Sequence, residues 1–146
     1  MVAHFDSNLN KRSKGTEITI ESVTTLGGVQ MDFFAKPKSV LELPWDNHIP
    51  NHYKENFYVG TWTRPELLAP SCKKYKTLNI LSYSVKQMVY KNTQDHSKWG
   101  HSAKVFCVGD LNRTSSQFNR SGTVLCMKSE LVSKIVGKFA GEVDSC

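Results

Sequence analysis

The chain has 146 residues, of which 39% are hydrophobic and 22% are charged, and its 19 Lys and Arg against 13 Asp and Glu give a formal net charge of +6. This composition is typical of a soluble globular protein and argues against a disordered, collagen-like or coiled-coil chain. The length fits one domain, which we expect to span residues 1–146. Charged or polar residues interrupt every hydrophobic run, so we expect no membrane-spanning segment and no membrane partner.

The start of the chain and its charge bear on location and partners. Residues 1–15 lack the apolar stretch of a secretory signal peptide, which leaves the compartment open. The positive charge favours polyanionic partners such as nucleic acid. The basic residues are scattered, however, which is also typical of an ordinary solvated surface. The charge therefore permits DNA binding without establishing it.

Four cysteines occur without a C-x-x-C pair and without the Cys and His spacing of a zinc finger. They are Cys72, Cys107, Cys126 and Cys146. An even number of widely spaced cysteines suits two disulfides in an oxidising compartment, and four reduced, buried cysteines are the alternative. Glycosylation sequons that begin at Asn112 and Asn119 favour the same secretory environment.

One histidine pair has the spacing of metal ligands on a helix. His48 and His52 lie four residues apart, but Pro50 between them makes a continuous helix costly. We therefore expect no metal site and no cofactor.

The first part of the chain predicts a strand followed by a short helix. Ile18 and Ile20 alternate with polar residues, which predicts a strand that ends at the turn Gly27-Gly28. An amphipathic helix fits residues 29–35 and ends before Pro37, which has no amide hydrogen to continue it.

The middle of the chain predicts a loop and then several strands. A polar stretch with two prolines predicts an irregular loop at residues 42–55. Four β-rich runs follow, and each of the last two carries a cysteine. These runs are residues 57–63, 78–85, 104–108 and 123–127.

The end of the chain predicts a helix. Ser129 is a good N-cap, and Glu130 suits the positive end of the helix dipole. The predicted apolar face consists of Leu131, Val132, Ile135, Val136 and Phe139. Gly141 is the predicted end of the helix. Strands interspersed with helices predict an α/β layered domain.

The segment Asp95 to Trp99, which reads D-H-S-K-W, carries the residue types of phosphoryl transfer. In an extended strand, His96 and Lys98 project from the same face. A histidine can attack phosphorus or move a proton, and a lysine can neutralise phosphate oxygens without a metal. Asn112, in the loop after the next strand, could donate a further hydrogen bond to those oxygens.

Three segments resemble the C-terminal half of the deoxyribonuclease II family. They are D-H-S-K-W at residues 95–99, C-x-G-D-x-N-R at residues 107–113 and G-T-x-x-C at residues 122–126. The resemblance extends more loosely from Ile18 to Cys146. It implies a phospholipase D-like α/β fold with a mixed β-sheet flanked by helices.

This resemblance also implies an activity. Enzymes of the family cleave DNA endonucleolytically at acidic pH without a divalent metal and leave 3′-phosphate ends. The resemblance makes His96 and Lys98 one of two catalytic H-x-K pairs, and it leaves open whether His96 attacks phosphorus or protonates the leaving oxygen. It further implies the disulfides Cys72–Cys146 and Cys107–Cys126 and a secreted or lysosomal location.

The sequence departs from the family because the other catalytic H-x-K pair is missing. The one remaining formal match, His52-Tyr53-Lys54, falls in the predicted loop. We therefore expect an isolated monomer to be nearly inactive, and a homodimer or a missing N-terminal half would supply the second pair. A catalytically inactive secreted relative that binds DNA or another partner is the alternative.

Several residues near the motif have two interpretations. Asn112 is either a phosphate donor or a glycan acceptor, and we prefer the first, which makes Asn119 the better glycosylation candidate. Asp110 either forms a turn or orients the phosphate site. Arg120-Ser121 stands where the family tends to have glycines. Trp62 could stack on a base, but we expect it to be buried.

Overall fold

The computed structural model describes residues 15–64 and 66–146, and a mixed seven-stranded sheet is its main element. The start of the chain, for which we expect no signal peptide, lies outside the described residues except for residue 15. The strands are β1 (Thr19–Thr24), β2 (Gln30–Lys36), β3 (Phe57–Gly60), β4 (Thr77–Asn79), β5 (Ser82–Val85), β6 (Met88–Lys91), β7 (Trp99–His101), β8 (Val105–Gly109) and β9 (Gly122–Lys128).

The sheet has the order β1-β2-β9-β8-β7-β3-β4, and β5 and β6 form a separate hairpin. Neighbouring strands of the sheet are antiparallel except β3 and β4, which are parallel. The result is a sheet-dominated α/β architecture.

The segment predicted as a helix at residues 29–35 is strand β2, so that prediction is wrong. A turn with Gly28 at φ 80° reverses the chain after β1, and β2 then pairs with β1 on one side and β9 on the other. Asp32, Phe34 and Lys36 point inward and are almost completely buried. The sequence of β2 does not show the usual alternation of apolar and polar residues, because two of its three inward residues are charged.

The predicted irregular loop at residues 42–55 contains helical turns instead. A π-helical turn, Pro44–His48, runs directly into α1 (Ile49–Tyr53). Each begins with a proline in its first turn, where no amide hydrogen is needed, so proline starts these helices rather than breaking them. Trp45 is completely buried, which makes this segment part of the core.

Two of the predicted β-rich runs are divided or shortened. The run at residues 78–85 spans β4 and β5, which belong to different sheets, and the run at residues 57–63 ends as a strand at Gly60. The predictions at residues 104–108 and 123–127 are confirmed as β8 and β9.

The C-terminal helix α2 (Glu130–Gly137) begins as predicted, because the Ser129 hydroxyl oxygen accepts from the Val132 amide at 3.3 Å. It ends at Gly137, four residues before the predicted Gly141. Its predicted apolar face is only partly covered, and Leu131 is 70% exposed. The completely buried residue of α2 is Ser133.

Apolar side chains pack on both faces of the sheet. One cluster, under the turn at Pro44–His48 and α1, includes Phe34, Leu43, Trp45, Ile49, Phe57, Val59, Val105 and Val124. The other lies under α2 and the β5–β6 hairpin and includes Tyr58, Ile80, Tyr83, Trp99, Phe106 and Val136. Alternation along β3, β7 and β8 sends successive side chains to the two clusters.

Two disulfides join all four cysteines. Cys107 and Cys126 are directly opposite each other on β8 and β9, and Cys72–Cys146 ties the end of the chain to the loop before β4. This is the pairing that the resemblance implies, and the alternative of reduced cysteines is wrong. Within the described part of the chain, no helix is long and apolar enough to cross a membrane.

Candidate active site

The predicted catalytic segment lies at one end of the sheet, where β7 begins and β3 and β8 end. Trp99 pairs with Gly60 of β3 on one side and with Val108 of β8 on the other. The carbonyl oxygen of Lys98 accepts a hydrogen bond from the Gly109 amide at 2.9 Å. The residues before Trp99 therefore lie beside the residues that follow β3 and β8.

His96 and Lys98 precede strand β7 rather than lying in a strand, which corrects the sequence interpretation. The Lys98 ammonium donates to the backbone oxygen of His96 at 2.5 Å. The His96 side chain is exposed and stacks on Trp62, with ring centroids 4.4 Å apart and 22° between the ring planes. The backbone of this segment thus holds the lysine, and an indole holds the histidine.

Trp62 is half-buried, so the prediction that it is buried is only partly right. Its Nε1 atom donates to the Thr93 oxygen at 3.2 Å, which fixes the plane of the indole. One face of the indole then meets the His96 ring. The sequence suggests Trp62 for stacking on bases, but it carries no signal for this contact with His96.

Asn112 lies in the loop after β8 and is only 9% exposed. Among the residues that the structure describes, its Oδ1 atom has no hydrogen-bond partner. A half-turn of the amide exchanges this oxygen for the two Nδ2 donors, so the group can present either to a ligand. Burial disfavours the glycan-acceptor interpretation, whereas Asn119 is exposed.

Asp110 ties the start of this loop to β9. Its Oδ1 atom accepts from the Thr123 amide at 2.8 Å, and its own amide donates to the Thr123 oxygen at 3.2 Å. A Cβ atom on Gly122 would lie 2.5 Å from the same Oδ1 atom, so glycine is needed there. The turn-forming interpretation of Asp110 therefore has direct structural support.

Arg113 is 2% exposed and binds only protein groups among the described residues. Its Nε atom donates to Asp46 Oδ1 at 2.6 Å, and its terminal nitrogens donate to Asn79 Oδ1 and to the backbone oxygens of Leu68 and Ala69 at 2.7–2.9 Å. Burial raises the pKa of Asp46, while the Arg113 guanidinium acts in the opposite direction. Arg113 thus fixes the loop that carries Asn112.

The histidines considered as metal ligands bind carboxylates instead. His48 Nε2 lies 3.2 Å from Glu42, and His52 Nε2 lies 3.3 Å from Asp32. Burial raises the pKa of Asp32, but hydrogen bonds, the first from Ser22, outweigh it and hold that pKa below its usual value. In the described residues, no group of three His, Cys, Asp or Glu side chains could hold a metal ion.

Comparison with known proteins decides the family. The family model for deoxyribonuclease II matches residues 3–146. The chain belongs to the deoxyribonuclease II family. It is 31% identical to Deoxyribonuclease-2 of Caenorhabditis elegans over 128 residues, which cover 84% of this chain and 34% of that protein. It is 31% identical to Deoxyribonuclease-2-beta of Homo sapiens over 129 residues, which cover 81% of this chain and 36% of that protein.

A third relative extends this set. Plancitoxin-1 of Acanthaster planci is 31% identical over 113 residues, which cover 70% of this chain and 30% of that protein. The chain spans about a third of the length of these deoxyribonuclease II relatives.

The loop before β9 has Arg120 and Ser121 where glycines are expected for the deoxyribonuclease II family, and their side chains do not crowd the neighbouring residues. The side chains of Arg120 and Ser121 are exposed. The buried Lys36 ammonium donates to the backbone oxygens of Phe118 and Arg120, both at 2.7 Å. The sequence does not predict this role of Lys36, because burial of a lone charge at an inward strand position has no local signature.

Proposed function

We propose that this chain supplies one half of the active site of an endonuclease that hydrolyses DNA phosphodiesters without a metal. The observation that carries the proposal is that the His96–Lys98 segment adjoins the loop of Asn112, whose buried Oδ1 atom has no partner among the described residues, in a chain of the deoxyribonuclease II family. An exposed imidazole, an ammonium and an amide are groups that suit a phosphate monoanion. The proposal includes a phospholipase D-like fold, with which a sheet covered by helices is compatible.

The proposed reaction uses two histidines. A nitrogen of one histidine attacks phosphorus, the bond between phosphorus and the 5′-oxygen breaks, and the other histidine gives its proton to that oxygen. Water then breaks the phosphorus–nitrogen bond and leaves a 3′-phosphate. His96 takes one of these roles, while Lys98 and Asn112 bind the non-bridging oxygens and stabilise the charge that develops on them.

The second H-x-K pair comes from a second copy of the chain or from a further segment. This part of the proposal is supported by the relatives, because the chain spans only about a third of their length. A twofold interface would place His96 of each copy on either side of one phosphate. His52-Tyr53-Lys54 is a poor substitute, because His52 pairs with the buried Asp32.

We also infer a secreted or lysosomal location. Two disulfides support it, because disulfides persist in oxidising compartments. The exposed sequon at Asn119 is compatible with the same route.

Nicking of supercoiled plasmid at pH 5 in EDTA tests the proposal. We expect slow nicking that rises steeply with protein concentration if two copies form one site. His96→Ala should lower the rate by at least about 10²-fold, because it removes either the nucleophile or the acid. His48→Ala is the matched control, because His48 contacts Glu42 and not the catalytic segment.

Two results would overturn the proposal. One is a His96→Ala protein that nicks plasmid as fast as the wild type. The other is a wild-type chain that neither nicks plasmid at any concentration nor binds DNA at low salt, where phosphate contacts are strongest.

A further inference from the structure

A cavity of about 500 Å³ opens beside the catalytic segment, on the face of the sheet that α2 covers. Strands β7 and β8 form its floor, and the β5–β6 hairpin and α2 form its walls. Most of its lining is aromatic or aliphatic, including Tyr83, Tyr90, Trp99, Phe106, Val136 and Phe139. Small-molecule sites in proteins have this size and this apolar character.

The aromatic rings of the cavity form a continuous set. Ring centroids lie 5.3 Å apart for Tyr83 and Tyr90, 5.8 Å for Tyr83 and Trp99, and 6.5 Å for Trp99 and Phe106. Neighbouring rings are tilted by 38–45°, and Tyr90 and Phe106 are the half-buried ones, so a planar ring can stack on one of these and meet the edge of another. Nucleobases are such rings, and they stack on aromatic side chains in many sites that bind single strands.

Polar groups are confined to the side of the cavity that adjoins the catalytic segment. Asp95 accepts hydrogen bonds from the Tyr90 hydroxyl at 3.2 Å and from the Ser97 amide at 2.7 Å. Each carboxylate oxygen can accept two hydrogen bonds, so Asp95 retains capacity for a ligand. Lys98 lines the same cavity, and it is also the lysine of the proposed phosphate site.

Tyr83 lines the cavity, and its hydroxyl packs against Gly60 of β3, where an added Cβ atom would lie 2.5 Å from it. It is 1% exposed, and among the described residues its hydroxyl has no hydrogen-bond partner. Burial raises the pKa of this hydroxyl, and the nearby charge of Asp95 raises it further, so it stays protonated as a donor. A buried donor without a partner is costly unless a ligand or water completes it.

We propose that this cavity binds the nucleobase attached to the phosphate that Lys98 contacts, with a preference for bases that carry an exocyclic amino group. The proposal rests on the proposed function in taking that phosphate to be part of DNA. Asp95 accepts from the amino group, as carboxylates do from cytosine, and the aromatic walls stack on the ring. The base must leave the duplex stack to enter, so frayed or single-stranded DNA binds best.

A nucleobase suits this cavity better than an apolar side chain from another protein surface. An apolar side chain would remove water from Asp95 and Lys98 without offering either group a partner. A nucleotide instead offers a donor to the carboxylate and an anion to the ammonium.

Binding of small nucleotides tests the proposal without requiring cleavage. We would titrate the wild-type chain with deoxycytidine 3′-phosphate, thymidine 3′-phosphate and deoxyribose 3-phosphate, and follow the Trp99 indole N–H resonance by NMR. We expect deoxycytidine 3′-phosphate to bind about 5- to 150-fold more tightly than the sugar phosphate, as stacking of one base predicts. Thymidine 3′-phosphate, without an exocyclic amino group, should lie between them.

A variant that fills the cavity provides a second test of the proposal. Val136→Phe places a ring in the cavity and should lower affinity for deoxycytidine 3′-phosphate at least tenfold, with affinity for deoxyribose 3-phosphate unchanged. Ile135→Phe is the matched control on the same helix, because Ile135 is 48% exposed and does not line the cavity. Equal affinities for base-bearing and base-free phosphates in the wild type overturn the proposal, and this comparison needs no variant.

Other outcomes separate this inference from the proposed function. If Val136→Phe changes the oligomeric state of the chain and leaves nucleotide affinity intact, the cavity is a protein interface and the inference is wrong. If nucleotides bind as expected but plasmid nicking does not depend on His96, the inference stands and the nuclease proposal fails.

Discussion

Replacement of Arg113 by Met tests whether the loop beside the His96–Lys98 segment is held by a buried ion pair. The guanidinium of Arg113 makes four hydrogen bonds, to Asp46, Asn79 and two backbone oxygens. Methionine fills a similar volume but donates none of them. Among the described residues, the variant therefore leaves the Asp46 carboxylate and the oxygens of Asn79 and Ala69 without a donor, whereas the Leu68 oxygen still accepts from Asn79 Nδ2 at 2.9 Å.

The size of the effect follows from these contacts. Four hydrogen bonds to a charged group, at about 1.5–3 kcal/mol each, sum to roughly 6–12 kcal/mol, which exceeds what a single substitution normally costs. The Asp46 side chain is 23% exposed, so water can hydrate part of it once the arginine is gone. We therefore expect a loss of about 3–5 kcal/mol in the free energy of unfolding, the range for a buried pair that loses one partner.

Urea unfolding at pH 7, followed by circular dichroism, measures this loss. Arg120→Met is the matched control, because Arg120 lies seven residues further on with an exposed side chain and should change stability by less than about 0.5 kcal/mol. Adding Asp46→Asn to Arg113→Met should cost less than the sum of the single changes, because the two groups interact. If Arg113→Met lowers the free energy of unfolding by less than about 1 kcal/mol, the buried ion pair does not hold this loop.

Two further predictions concern the aromatic neighbours of histidines. Trp62→Leu should move the ring-proton resonances of His96 downfield, because the stacked indole shields them. It should also slow any nicking about 2- to 12-fold, which corresponds to the loss of about 0.5–1.5 kcal/mol of stacking. Trp62→Phe should restore most of both, and unchanged His96 resonances in Trp62→Leu would contradict the stacking.
Burial lowers the pKa of His101 below 6.5, so the unfolded chain binds a proton more readily and stability falls as pH drops below about 6.5. His101→Gln should flatten this fall by up to about 1.4 kcal/mol per pH unit in urea titrations between pH 7.5 and pH 5. If stability falls equally with pH in the wild type and in His101→Gln, His101 is not the source of the fall.

The parts of the fold that the sequence predicted well are those with local signals. The β-rich runs that contain Cys107 and Cys126 predict β8 and β9, and Ser129 predicts the start of α2 through a hydrogen bond within one turn. The structure places the segment of His96 and Lys98 beside the loop of Asn112, because in an antiparallel pair the start of one strand, β7, lies next to the end of the other, β8.

The errors come from contacts that are remote in sequence. β2 carries Asp32 and Lys36 on its buried face, and each is stabilised by partners that a local pattern cannot reveal, such as Tyr53 and the backbone at Phe118. The same holds for Arg113, whose guanidinium reaches Asp46, 67 residues away. The pattern of apolar and polar residues does not predict burial at such positions, because the hydrogen-bond partners of the buried polar group are distant in the sequence.

The apolar face predicted for α2 shows the opposite error. Leu131 and Ile135 have the helical spacing of buried residues, but they are 70% and 48% exposed. Ser133, a polar residue, is instead buried, where its hydroxyl donates to the backbone at Ser102 and Val105. Spacing identifies which residues share a face, and only the position of the sheet decides which face is covered.

Buried polar groups in and near the candidate site differ in whether the described residues supply a hydrogen-bond partner. Asp110 and Arg113, on either side of Asn112 in the loop, have partners for their side chains in the protein. Asn112 itself and Tyr83 are buried with a polar atom that has no partner among the described residues. Each such atom costs about 1–3 kcal/mol, which a folded protein tolerates where a ligand completes the bond. Tyr83 shares a cavity with Lys98, and the loop of Asn112 follows Gly109, which binds the Lys98 backbone, so both residues lie close to the segment of His96 and Lys98.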